Sequence, residues 1–171
     1  LGQLSATSSV LINSGVLTLD GGIAANRIND AASMVLNKNS FASAALQTNG
    51  LAETVSTLEV ASDSVIDMGT LDAGNALAFA DSSGIVWSGL LQIWNYSGTD
   101  QDKLFFGTDE NGLTEAQLAM IAFYSDEGET LLGGAEILST GEVTVVPEPA
   151  QSGLLTALAV LAAITWMRRR K

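Results

Sequence analysis

From residue 10 to residue 19 the chain alternates apolar and polar positions (VLINSGVLTL), then turns at Asp20-Gly21-Gly22. A period of two places one row of side chains on a buried face, which marks a half-buried strand. The pattern returns in LAETVSTLEVASDSVIDMGT, where Val55, Leu58, Val60, Val65, Ile66 and Met68 form the expected inward set. A further strand is expected over residues 77–80, closed by Asp81-Ser82-Ser83-Gly84. Two short apolar runs follow, Ile85-Val86-Trp87 and Leu90-Leu91-Gln92-Ile93-Trp94, each ahead of small polar turn residues. Thr114-Glu115-Ala116-Gln117 has the form of a capping box. Leu118, Ile121 and Ala122 then fall at i, i+3 and i+4, which predicts a short helix through about Phe123. Strands resume over residues 135–138 and 142–146.

Many short strands, small turn residues and few large core residues predict an all-β body. The expected architecture is a parallel β-helix, a solenoid in which each rung stacks on the next. The short helix near its C-terminal end would cap the last rung and cover an edge open to aggregation. No exact repeat period is visible, and a β-sandwich uses the same strand lengths and is the alternative.

The last 26 residues, 146–171, follow a different rule: VPEPAQSGLLTALAVLAAITWMRRRK. Pro147 and Pro149 bracket Glu148 and are the only prolines in the chain. Proline removes a backbone donor and biases the preceding residue toward extended geometry, so residues 146–152 read as an exposed, non-helical linker. Residues 153–167 carry no charge, and with residues 150–152 the uncharged run reaches eighteen, about the minimum for spanning a bilayer core. Arg168, Arg169, Arg170 and Lys171 follow at once. Positive charge tends to stay cytoplasmic, which orients the body, residues 1–145, outward. A buried core helix is the competing reading, and a run that is apolar all round and ends in four cations speaks against it.

The Pro147-Glu148-Pro149 triplet, the Gly/Leu/Ala-rich run and the basic end together resemble the PEP-CTERM protein-sorting domain. That resemblance implies an inner-membrane anchor of transient use in a Gram-negative bacterium. It also implies recognition by an exosortase-type membrane protease or transpeptidase that cuts near the triplet. On it Pro147, Glu148 and Pro149 are a recognition element, and the mature protein reaches the cell surface or an extracellular matrix that usually contains exopolysaccharide. The body is similar to the C-terminal part of autotransporter-associated β-strand repeat proteins. The residues that carry this likeness are Ile66-Asp67-Met68-Gly69, the stretch LAFADSS from Leu77, Trp87, Leu91-Gln92-Ile93-Trp94-Asn95, Leu104-Phe105-Phe106-Gly107 and Gly112-Leu113-Thr114. The family implies a right-handed parallel β-helix passenger. Residues upstream of this stretch lack clear copies of the repeat.

The chain opens on Leu1, and nothing there reads as a charged region, apolar core and small-residue cleavage site. An export tail without an export leader leads to the expectation that this is the C-terminal piece of a longer precursor. Cysteine and histidine are absent, which removes zinc sites, histidine-ligated haem and Cys/His or Ser/His/Asp catalysis from this segment. Residues 1–149 hold three cations, Arg27, Lys38 and Lys103, against all nineteen acids, a net charge of −16. Such a field repels nucleic acid and favours a solvated acidic surface.

Three constellations remain. Asp63, Asp67, Asp72 and Asp81 punctuate successive turns and offer paired carboxylates, but no Arg, Lys or His lies near in sequence to tune them, and Asp is the ordinary turn residue. Asp100, Asp102, Asp109 and Glu110, with Asn111, form an oxygen-rich loop of the kind that holds calcium, without the spacing of an EF-hand. Trp87, Trp94 and Tyr96 could form a platform for stacking sugar rings, or could pack in the core. The expectation is a non-enzymatic structural or adhesive surface protein, associated with exopolysaccharide and without a cofactor unless calcium binds. The alternative is the C-terminal part of a β-helix carbohydrate-active enzyme whose catalytic rungs lie upstream; a ligand-free capping piece is a third reading.

Overall fold

A strand of three to five residues cannot bury its apolar row alone, and here such strands pair in parallel with strands from neighbouring laps of the chain. The computed structural model describes residues 3–19, 26–38, 43–49, 51–69, 75–98 and 102–147. Within them the chain winds as a β-solenoid with three faces and about three regular turns.

The first turn comprises a bridge at Leu4, β1 (Ser9–Asn13) and β2 (Gly15–Thr18). The second repeats it with Ile28, β3 (Ser33–Asn37) and β4 (Ala44–Gln47). The third contains β5 (Glu53–Val55), β6 (Leu58–Val60) and β7 (Ser64–Asp67). The chain goes round further through β8 (Asn75–Phe79), β9 (Leu91–Trp94), β10 (Asp102–Phe106), helix α1 (Glu115–Leu118) and β11 (Ile121–Tyr124). It finishes with the antiparallel pair β12 (Leu131–Ile137) and β13 (Glu142–Pro147). The ladders between successive turns are parallel on all three faces, β1-β3-β6, β2-β4-β7-β9-β11 and β5-β8-β10. That pattern is a solenoid and leaves no place for the sandwich alternative.

In-register stacking turns the alternation of each strand into columns. Val10, Met34 and Leu58 form one, and Leu17, Leu46, Ile66, Ile93 and Phe123 another. On the third face Phe79 stacks on Phe106 with ring centroids 5.1 Å apart. All six residues of the inward set expected over residues 55–68 are buried. Polar side chains at the corners stack as well. Asn37 donates to the Asn13 amide oxygen at 2.8 Å. At another corner Thr18 donates to Gln47, Gln47 to Asp67, and Asn95 to Asp67, at 3.1, 3.0 and 2.7 Å. These ladders hold neighbouring turns in register.

The structure corrects two local expectations. The alternating run over residues 10–19 is two strands, because Ser14 and Gly15 take positive φ (81° and 87°) and turn a corner between faces. The helix stops at Leu118, and Ile121–Tyr124, expected to continue it, is strand β11. The capping box itself is present, but in-register pairing with β9 at Ile121↔Leu91 claims the segment beyond it for the sheet.

Where a strand is missing, a side chain supplies its hydrogen bonds. Glu53 stands opposite Leu77 in a core column of the third face, and its carboxylate accepts from Arg27 N at 2.6 Å and Ile28 N at 3.1 Å. Residues 85–87, an apolar run in the sequence, are irregular. There Ser82 Oγ accepts from Leu58 N, the Trp87 indole donates to Leu58 O, and Ser88 N donates to Val60 O. Gln117 accepts from Thr114 N and donates to Ser82 O and Ile85 O, all within 2.9 Å, so the cap of α1 also braces the irregular segment.

Two outcomes follow from this packing. A Cβ on Gly112 would lie 1.8 Å from Phe106 O, whereas one on Gly84 meets nothing within 4 Å. Gly112→Ala should therefore cost at least about 3 kcal/mol in urea unfolding, and Gly84→Ala should stay within about 0.5 kcal/mol. Burial raises the Glu53 pKa, against the lowering effect of the Arg27 and Ile28 backbone donors. A carboxyl raised in the folded state binds its proton more readily folded than unfolded, so its contribution to stability is largest below about pH 4.5 and declines as pH rises through the folded value. The urea midpoint of the native chain relative to Glu53→Gln should rise as pH falls from 7 to 4.5, and a pH-independent difference would refute the assignment.

Candidate functional site

Pro147, the first residue of the triplet expected to direct sorting, ends the strand that closes the solenoid. β13 pairs with β12 on one side and with β10 on the other, so the hairpin joins two faces and seals the C-terminal end of the coil. Its pairing with β10 involves only Glu142 and Val143, whereas β12 accompanies it as far as Gly133↔Pro147. Pro147 thus ends a strand that has lost its second neighbour, a position where a missing N–H is tolerated. The strand expected over residues 142–146 is β13, and it runs one residue further, so that Pro147, expected in the linker, is its last residue. Glu148, Pro149, the uncharged run over 153–167, and Arg168, Arg169, Arg170 and Lys171 lie outside the described residues. Among the described residues no helix is long and apolar enough to cross a membrane.

The aromatic residues do not share a surface. Trp87 is 5% exposed, donates to Leu58 O at 3.0 Å and meets the Phe106 ring edge-on at 5.9 Å. Tyr96 is 4% exposed, lies 4.5 Å from the Phe123 ring, and its hydroxyl is 3.3 Å from Thr144 Oγ1. Trp94 is half-buried on β9, with its indole donating to Gln92 Oε1 at 2.9 Å. A Cβ on Gly128 would come within 3.0 Å of that indole, so the 125–130 turn lies directly against it. Trp87 and Tyr96 are core residues here, and only Trp94 retains partial access to solvent.

The acids are similarly dispersed. Asp102 is buried and accepts from Ser97 N at 2.8 Å. Asp109 is exposed and accepts from the Asn111 backbone and side chain, a local Asx turn. Glu110 is exposed, and Asp100 is outside the described residues. No group of three acids stands close enough to hold a metal ion among the described residues. Of the turn aspartates, Asp63 accepts from Leu90 N and Asp67 anchors the corner ladder. The Asp81 carboxyl is held below its usual range by the Ser83 hydroxyl and backbone. Asp126 is likewise lowered, by the Thr130 hydroxyl and backbone, and with Asn95, Glu127 and Glu129 it lines an open cleft of about 460 Å³.

No family model, curated protein or solved structure matches this chain. What distinguishes it is a β-solenoid closed by an antiparallel hairpin that ends at Pro147.

Sequence patterning did not single out Glu53 or Ser82 as structural donors and acceptors, and for Gln117 it showed the cap but not the bonds to Ser82 O and Ile85 O. Glu53 had one legible sign, a charge two residues before Val55 on what becomes the same face. The buried Trp87 and the half-buried Trp94 can be separated by measurement. Trp87→Ala should cost about 3–5 kcal/mol, since it empties a core site and strands Leu58 O. Trp94→Ala should cost clearly less, and equal losses in chemical denaturation would show that Trp94 is as much a core residue as Trp87.

Proposed function

We propose that this chain is an exported β-solenoid protein of a Gram-negative bacterium, sorted through its C-terminal tail to the cell surface or extracellular matrix. The observation that carries the proposal is the order of parts in the tail. A Pro147-Glu148-Pro149 triplet precedes an uncharged run of eighteen residues, and four cations close the chain. An uncharged segment of that length is long enough to enter a bilayer core, and the cations hold its end on the cytoplasmic side. The body then faces outward. On this reading the tail is a transient inner-membrane anchor, and the triplet is what an exosortase-type protease or transpeptidase recognises. The protein is the substrate of that reaction and is not itself an enzyme.

The role proposed for the mature body is structural or adhesive, in association with the producing cell's exopolysaccharide. A stiff stack of short strands with polar corner ladders suits a spacer or matrix component. Its charge of −16 over residues 1–149 favours a neutral polymer over an anionic one, because like charges repel at low salt. Calcium is an accessory part of the same proposal, with Asp109 and Glu110, exposed beyond β10, as oxygen donors.

Intact-mass measurement on the protein from its native host tests the sorting role. The expected species ends near Pro149, and the Glu148→Ala, Pro149→Ala double variant should retain Arg168 to Lys171. A native protein that keeps its basic end would make the tail a permanent anchor and remove the processing step.

A further inference from the structure

β13 ends at Pro147; the uncharged run of eighteen begins at Ala150, and its membrane helix begins no later than Gly153. The six residue steps from Pro147 to Gly153 reach about 20 Å when fully extended. Whenever the tail is inserted, the end of the β12–β13 hairpin that carries Pro147 must lie within that distance of the bilayer. That end is apolar. Leu131, the first residue of β12, is 45% exposed and Val146 is 42% exposed. The register places both near the exit point, with Gly133 opposite Pro147 and Gly134 opposite Val146. A Cβ added at Gly134 would meet nothing within 4 Å, so the surface beside Val146 is open. Of the other large exposed apolar side chains among the described residues, Leu4, Leu11, Val16, Val86 and Leu90 belong to earlier parts of the coil, and Leu138 lies at the opposite end of the hairpin.

Resting on the sorting-tail reading, we infer that this hairpin end docks on the bilayer surface, with Leu131 and Val146 entering the interfacial zone. The short tether makes the contact intramolecular, so two apolar side chains suffice where they would not recruit a free protein. The surface they accept is zwitterionic, because Asp126, Glu127 and Glu129 in the turn before Leu131 oppose anionic headgroups. Docking would hold Pro147, where the triplet begins, at a fixed depth, within reach of a membrane-embedded protease.

The chain contains no cysteine, so single probes can be placed cleanly. The full chain carrying Gly134→Cys or, as a remote control, Ser9→Cys is labelled with an environment-sensitive fluorophore and reconstituted into phosphatidylcholine vesicles. The probe at 134 should shift to the blue and be quenched by brominated lipid, and the probe at 9 should do neither. Adding Leu131→Gln and Val146→Thr should abolish the shift at 134 while the protein still co-floats with vesicles. Co-flotation with an unshifted probe at 134, or a shift that survives both substitutions, overturns the docking and leaves the sorting tail standing. Failure to co-float overturns both. A shift at 134 that appears only in membranes containing the processing protease overturns lipid docking and assigns the patch to the enzyme.

Discussion

Everything in this protein depends on parallel stacking between turns of the coil. The strands are three to five residues long through β11, too short to close a core by themselves, and each apolar row is covered only when the next turn lands in register on it. Once it does, the same row serves every turn: Leu17, Leu46, Ile66, Ile93 and Phe123 form one column through five strands. The backbone ladder, the columns and the corner amides all specify the same register, so each reinforces the others.

Stacking requires every turn to present donors and acceptors at the right height, and this chain does not always do so with a strand. At Arg27 and Ile28 the Glu53 carboxylate accepts the backbone N–H groups. Below Leu58 the acceptor is Ser82 Oγ, itself kept in place through Gln117. Leaving those groups unpaired would be costly in a buried setting, which is why a charged residue is retained in an otherwise apolar column. The end of the coil poses the same problem at larger scale, since the last turn leaves ladder edges on two faces. β12 and β13 join them, and the exit of the tail is thereby tied to the sheet.

Much of this was legible in local patterning. The inward set over residues 55–68 followed from alternation, and the capping box at Thr114 from four adjacent residues. The repeat was not, and the register shows why. Partners on one face are 24 residues apart at Ser9↔Ser33 and at Met34↔Leu58. On another the spacing runs 29, 20, 27 and 30, at Gly15↔Ala44, Ala44↔Ser64, Ser64↔Leu91 and Leu91↔Ile121. Corner loops of unequal length erase any fixed period while leaving the stack intact. The helix boundary failed for a related reason: i, i+3, i+4 spacing at Leu118, Ile121 and Ala122 satisfies a helix, and only the neighbouring Leu91 makes a strand the better partner.

The sequence by itself determined the β-rich class, the acidic body and the order of parts in the tail, because alternation, charge and an uncharged run are properties of adjacent residues. Only the tertiary structure decided that Trp87 and Tyr96 are core residues, that Glu53 stands in for a strand, and that Pro147 is held opposite Gly133. Each of those depends on which distant residue the coil brings alongside, and that is set by loop lengths and register that no local window contains.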